Sequence, residues 1–249
     1  MVNFYDPNDV IRAIDNEIYY KQTHATVRNG NSISLRPIVY NCIREVYFEI
    51  NDCERVEATS LDSYRSFYWT APIGDALHQK FQKLMNLTEQ QYTEQLITFE
   101  TFSPTLYVRS KCDGIDLRDP NNIILYEIKT KDKIPSKPYD SELLQCLLSV
   151  FFFRKELKLD IKGATMIYIN RTNPYNFVFF NYDLFDATSP AYINAKDELK
   201  NTFEKIEELL ECLRNKVPPL MTSKFIKTFD YGKPKCPNCP YRKVCGELK

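Results

Sequence analysis

The segment Ile123-Ile124-Leu125-Tyr126-Glu127-Ile128-Lys129-Thr130 decides how the chain folds. Its first half is an apolar run rich in β-branched residues, the composition of a strand inside a sheet. Its second half carries Glu127 and Lys129 on alternate positions, and alternate residues of a strand share one face. Two charges leaving the same side of a sheet, at the edge of its apolar part, are costly to bury unless they pair or ligate a metal.

Just upstream, Lys111-Cys112-Asp113-Gly114-Ile115-Asp116 closes another strand pattern, the alternating residues 106–112. Asp113 is expected at the end of that strand, where Gly114 lets the backbone turn away. If the two strands are neighbours, Asp113 and Glu127 converge as a hard-oxygen site suited to magnesium or manganese. Lys129 is then placed to orient an attacking water or to neutralise charge developing on a phosphate. Asp116 competes for this role, and Asp113 is preferred for its place at the strand end. Further upstream, His78 stands in Gly74-Asp75-Ala76-Leu77-His78, off the apolar stripe of its helix, and is one of 2 histidines in the chain. Singly, an E-x-K strand end is most often a surface ion pair, an Asp-Gly a turn, and a helical histidine a solvent or core residue. The ordered series His78, Asp113, Glu127, Lys129 on helix, strand and strand carries the weight.

Around this centre, helical and strand periodicities alternate. Helices are expected over residues 6–20, 36–50 and 71–87, the last with Ile73, Leu77, Phe81 and Leu84 at helical spacing. Strands follow at 96–102, 106–112 and 123–128, bounded by Ser103-Pro104 and Asp119-Pro120-Asn121-Asn122. An apolar helix at 141–157, strands at 164–169 and 177–181, and an amphipathic helix at 192–213 complete the order, ahead of a Lys- and Cys-rich tail. That order predicts an α/β fold, a mixed sheet with helices on both faces.

Composition is that of a soluble globular protein, 43% hydrophobic and 27% charged. No apolar run reaches the roughly 18 residues of a membrane span. The N-terminal segment lacks a basic stretch followed by an apolar one, so secretion is not expected and the cytoplasm is the default compartment. The net charge of zero does not announce a nucleic-acid binder. The distribution says more: residues 222–249 hold seven Lys or Arg against Asp230 and Glu247, and Lys129, Lys131, Lys133 and Lys137 form a second cluster. Such patches can bind phosphate, although by themselves they read more readily as a solvated loop and tail.

Eight cysteines in a cytoplasmic chain need an explanation other than disulfides. Cys53, Cys112, Cys146 and Cys212 are isolated in apolar surroundings and read as buried structural thiols. Cys236, Cys239 and Cys245 form a C-x2-C-x5-C pattern, whose first turn brings two thiolates into one coordination sphere. Three ligands are one short of four, and Cys42 is the candidate fourth. On spacing alone zinc fits as well as iron. Joining Cys42 to the tail would close a loop of nearly the whole chain and stabilise it.

The combined pattern resembles the RecB-like branch of the PD-(D/E)XK nucleases: a helical G-x-x-x-H (Gly74, His78), an Asp followed by Gly (Asp113, Gly114), and E-x-K (Glu127, Lys129). The resemblance implies a restriction-endonuclease-like core in which His78, Asp113, Glu127 and the Ile128 carbonyl ligate Mn2+ or Mg2+ and Lys129 assists catalysis. It adds a catalytic Gln in the next helix, matched by Gln145, with a Tyr four residues on, where this chain has Ser149. One Cys before the nuclease motifs and three after them is similar to the iron–sulfur members, the CRISPR-associated exonucleases and the AddB nuclease domain, although Ile43 replaces the Pro common after the first Cys. The lack of a P-loop favours the stand-alone CRISPR-associated type, which has relatives outside CRISPR loci, including in viruses. The resemblance thus implies a helical cap bearing a 4Fe-4S cluster on Cys42, Cys236, Cys239 and Cys245. It implies a single domain over 1–249, with its core at about 71–185 and the cluster element built from about 33–53 and 215–249. It further implies a single-strand DNA exonuclease, 5′ to 3′, trimming DNA ends, with CRISPR integration proteins as partners, no membrane, and homo-oligomers for which the sequence offers no self-complementary surface. The competing reading is a non-catalytic DNA-binding or assembly module with a structural zinc or iron–sulfur centre.

Overall fold

The structure is a computed structural model that describes residues 12, 32–53, 61–85, 95–99, 106–183, 190–227, 229, 230, 233, 234, 236 and 239–247. The helix expected at 6–20 lies outside these residues, except for Arg12. The element order is β1 (Ser32–Ser34), α1 (Leu35–Tyr40), α2 (Ile43–Ile50), α3 (Leu61–Leu84), β2 (Gln95–Phe99), β3 (Leu106–Ser110), β4 (Gly114–Asp116), β5 (Ile123–Lys131), α4 (Asp140–Leu157), β6 (Ile161–Asn170), β7 (Phe177–Asp183), α5 (Pro190–Asn215), β8 (Phe229–Asp230), β9 (Lys233–Pro234) and α6 (Arg242–Glu247).

The central sheet has the order β4-β5-β6-β7. β5 and β6 are parallel and joined through α4, whereas β4 and β7 run antiparallel to their neighbours. A parallel pair needs a crossover long enough to return the chain, and α4 supplies it. One face of the sheet packs on α4 through Leu125, Ile161 and Met166 against Cys146, Val150 and Phe153. On the other, Ile128, Ile167 and Ile169 meet Leu77 and Phe81 of α3. With helices on both sides, β6 is buried almost throughout, which explains its near-continuous apolar sequence. The mixed sheet flanked by helices is the α/β architecture expected from the element order. Ile73 and Leu84 do not join this interface; they are 48% and 69% exposed.

A second sheet, β1-β3-β2, packs with α1, α2 and α5 onto the outer face of α4, around Ile38, Val46, Phe48, Leu148, Phe152 and Leu210. Three sequence expectations change here. β3 belongs to this second sheet and ends at Ser110, where the chain crosses to the central sheet, so Asp113 does not end that strand. Asp113 instead stands at the entry to β4, where its N–H donates to the Tyr126 carbonyl at 3.2 Å. The helix expected over residues 36–50 is two helices, broken where Asn41 and Cys42 turn extended (ψ 158° and 142°). Groups remote in sequence take up the freed polar atoms: Lys205 donates to the Ile38 and Asn41 carbonyls, Lys227 to those of Val39 and Tyr40, and the Ile43 N–H donates to Phe225 O. Last, α3 begins ten residues before its expected start and carries Pro72 within it.

Candidate active site

Glu127 and Lys129 leave β5 on one face, as alternate positions must, and meet at 2.6 Å between Lys129 Nζ and Glu127 Oε1. The Glu127 side chain is 5% exposed and that of Lys129 20%. Asp113 reaches the same point from β4, its Oδ2 accepting from the Ile128 N–H at 2.6 Å. Opposite, His78 Nδ1 stands 3.6 Å from Asp113 Oδ1. The sequence explains how α3 comes so near: Gly74 is buried one turn before His78, and a Cβ there would sit 3.0 Å from Thr130 Oγ1. Gln82, one turn beyond His78, donates to the Asp113 carbonyl at 2.7 Å. Nothing singled Gln82 out in sequence, although its i+4 spacing from His78 is visible there.

The electrostatics separate the two carboxylates. Burial alone would raise the Asp113 pKa, but His78, the Ile128 N–H and Lys129 outweigh it and hold it below the ordinary value. Glu127 goes the other way: burial, joined by the Asp113 charge, raises its pKa against the opposing pull of Lys129. Burial would lower the Lys129 pKa, yet Glu127 and Asp113 together lift it above the usual lysine value. Lys129 is thus an ammonium at neutral pH. Carboxylates pushed apart by their surroundings, beside a fixed cation, are the electrostatic pattern of catalytic sites.

Asp116 is drawn elsewhere, onto Arg118 at 2.9 Å. Gln145 does not bond to the carboxylates; it lines a neighbouring cavity with Arg36, Arg109 and Lys111. Ile128 is fully buried in β5. The donor set of two carboxylate groups, an imidazole and a backbone carbonyl fits a hard divalent ion. Among the described residues no three His, Cys, Asp or Glu stand in the arrangement of a closed single-ion ligand set; Glu127 is turned onto Lys129 and Asp113 onto the Ile128 N–H.

Cys42, Cys236, Cys239 and Cys245 line one cavity of about 250 Å³, together with Arg44 and Arg242. The break between α1 and α2 turns Cys42 toward it, and turns in the tail bring the others: the Cys239 N–H donates to Cys236 O and the Cys245 N–H to Tyr241 O. Arg44 is buried and donates to the Pro219 carbonyl at 3.1 Å and the Cys245 carbonyl at 3.4 Å. Burial pushes the Cys245 thiol up, with Arg44 opposing. Of the other thiols, Cys112 and Cys146 are buried, whereas Cys53 and Cys212 are half-buried.

The crystal structure of SSO0001 superposes with a TM-score of 0.56 at 16% identity, covering 96% of this chain and 97% of that one, a likeness of fold. Rai1 of Scheffersomyces stipitis (11% identity, TM-score 0.28, 87% of this chain and 69% of that one) and of Candida albicans (14%, 0.26, 86% and 69%) align too loosely to carry an argument. No curated protein matches the sequence. No helix among the described residues is long and apolar enough to cross a membrane. The family model of the PD-(D/E)XK nuclease superfamily, whose members are generally nucleases using Mg2+ or Mn2+, matches residues 42–246. The match spans both the carboxylate–lysine strand and all four cysteines of the cavity, and the chain belongs to the PD-(D/E)XK nuclease superfamily.

Proposed function

We propose that the chain is a divalent-metal-dependent deoxyribonuclease that degrades single-stranded DNA from an end, 5′ to 3′, and belongs with the CRISPR-associated iron–sulfur exonucleases. The observation that carries the reading is the meeting of Asp113, Glu127, Lys129 and His78 at the edge of β5. Asp113, Glu127, His78 and the Ile128 carbonyl would hold the ion. When bound, magnesium or manganese supplies charge neutralisation and water activation at the phosphate. Lys129, an ammonium held in place by Glu127, donates to the attacking water or to the phosphate oxygen that gains charge. The Ile128 N–H and Gln82 fix the carboxylate and backbone of Asp113, so its oxygens enter the reaction already oriented.

The cysteine cavity fits a soft-metal centre, with four thiols drawn from both sides of the nuclease motifs. We assign it a 4Fe-4S cluster; that choice over zinc, the strand preference and the polarity rest on the resemblance in sequence. The core at about 71–185 and a cluster element from about 33–53 and 215–249 follow the same reading.

The test is cleavage of end-labelled single-stranded DNA by anaerobically purified protein, with and without manganese, beside Lys129→Ala. Metal-dependent cleavage that the variant loses is expected, with the labelled end giving the polarity. A folded protein carrying its metal centre that leaves DNA intact would overturn the reading in favour of a binding or assembly module.

A further inference from the structure

Beside the carboxylate–lysine centre lies a smaller cavity of about 170 Å³ whose charges the reaction does not use. Arg36 of α1, Arg109 of β3 and Lys111, just past β3, converge on it, and Ser34, Ser110 and Gln145 complete the polar lining. The parallel pairing of β1 with β3 sets Ser34 against Arg109 and so brings Arg36 to the same edge. No carboxylate lines the cavity. None of its three cations is in an ion pair among the described residues. Elsewhere Lys129, Lys131, Lys162, Lys224, Arg118 and Arg171 each meet a carboxylate. Three like charges repel unless an anion joins them.

The cavity also lies near the carboxylate–lysine centre. Lys111 is two residues from Asp113. The Arg36 guanidinium lies over the Tyr40 ring, 5.6 Å from its centroid, and Tyr40 in turn feels the Lys129 charge. The floor is firm: Leu35 is buried, and Ser110 is hydrogen-bonded to Ser149 of α4, one turn from Gln145.

We propose that Arg36, Arg109 and Lys111 seat a phosphate of the substrate strand next to the one being cut, with Gln145 as a neutral donor to the same group. Two forked guanidiniums and an ammonium suit phosphate oxygens, through charge-assisted hydrogen bonds that read no base. The placement next to the cut rests on the nuclease reading; phosphate binding itself does not. A backbone phosphodiester and a terminal phosphate share this chemistry.

The test is fluorescence anisotropy with a labelled single-stranded oligonucleotide in EDTA, where nothing is cut. It compares the native chain with Arg36→Gln/Arg109→Gln and Lys111→Gln, using Lys162→Gln as a surface control and thermal melts to check folding. Weaker binding is expected for the cavity variants only, with the slope of log affinity against log salt falling by about 0.7 for each phosphate-binding cation removed. Parallel strands with a 5′-phosphate or a 5′-hydroxyl separate the sources. Weakening on both strands assigns the cavity to the backbone, and weakening confined to the phosphorylated strand assigns it to the chain end. Affinity and salt slope unchanged in folded variants would overturn the site. A protein that never cuts DNA but shows these shifts keeps the site and fails as a nuclease; one that cuts normally while binding is unmoved does the reverse.

Discussion

The hydroxyls of Ser110 and Ser149 share a hydrogen bond of 2.9 Å in the buried seam between β3 and α4. Ser149 also donates to the Gln145 carbonyl at 3.0 Å, so Ser110 is the donor in their shared bond. Position 149 is where the resemblance to RecB-like nucleases expects a tyrosine. Ser149 is 1% exposed, so a ring there would have to displace packed neighbours. Ser149→Ala leaves the Ser110 hydroxyl buried without an acceptor and should cost about 1–3 kcal/mol. Ser149→Tyr should cost more, because overpacking adds to the loss. Urea denaturation of both variants measures this, and a tyrosine variant as stable as the native chain would refute it.

Lys129→Ala and Glu127→Gln should both lower metal-dependent cleavage at least about 100-fold, the usual effect of removing one stabilising group from a reacting centre. Their stabilities should differ. Lys129→Ala leaves the Glu127 charge buried alone, at a cost of about 2 kcal/mol, moderated because Lys129 is 20% exposed. Adding Glu127→Gln to that variant should restore stability and leave activity lost, a pattern that a purely structural ion pair would not give.

The carboxylate–lysine centre was legible because its information is local. Glu127 and Lys129 are two residues apart on one strand, and Gly74 and His78 are one turn apart on one helix. The fold class was legible for the same reason, since β5, α4, β6 and β7 declare their periods, whereas the three-residue β4 is too short to show one. What the sequence hid depends on distant partners. The break at Asn41 and Cys42 is held by Lys205 and Lys227, some 160 to 190 residues away. The passage of the chain from the second sheet at Ser110 into the central sheet at β4 hid in the same way, because residues 106–112 read as one alternating strand whichever sheet receives them.

Lys205 is 6% exposed and gives its ammonium to the Ile38 and Asn41 carbonyls at the end of α1. Lys205→Met keeps the stem and removes the donors, so it should cost about 2–3 kcal/mol in a denaturant melt. A loss under about 0.5 kcal/mol, the range of an ordinary surface change, would show that water serves these carbonyls equally well.

Alkaline pH should weaken the fold. Burial raises the Cys112 thiol from 9.0 to about 12, helped by the Glu127 and Asp113 charges. Burial likewise raises Tyr40 from 10.0 to about 12. In both, the folded state holds its proton more tightly than the unfolded one. Their contributions are therefore intact below pH 9 and are lost as pH climbs from about 9 toward about 12. Denaturant midpoints taken from pH 8 to 11 should fall more gently in Cys112→Ala than in the native chain; parallel curves would remove Cys112 as a cause.

If the cysteine cavity holds an iron–sulfur centre, anaerobically purified protein should carry iron, and Cys42→Ser or Cys245→Ser should lose most of it. Iodoacetamide should then label Cys236 in the iron-depleted chain and spare it in the native one, while Cys112 and Cys146 resist labelling in both until the chain unfolds. Zinc without iron in the native protein would reassign the centre.

Arg44 sits near the start of α2 and makes its hydrogen bonds to Pro219 and Cys245, while the neighbouring Ile43 N–H waits for Phe225. On the ribosome, α2 emerges some 175 to 200 residues before these acceptors. The nascent chain therefore carries a guanidinium and an amide whose protein acceptors are made much later. The central sheet has every strand in hand once residue 183 has been made, whereas this outer layer must assemble after translation has passed residue 245. A ribosome stalled between those points would present a formed nuclease sheet with an open flank, a substrate for chaperones and proteases that the finished protein no longer offers.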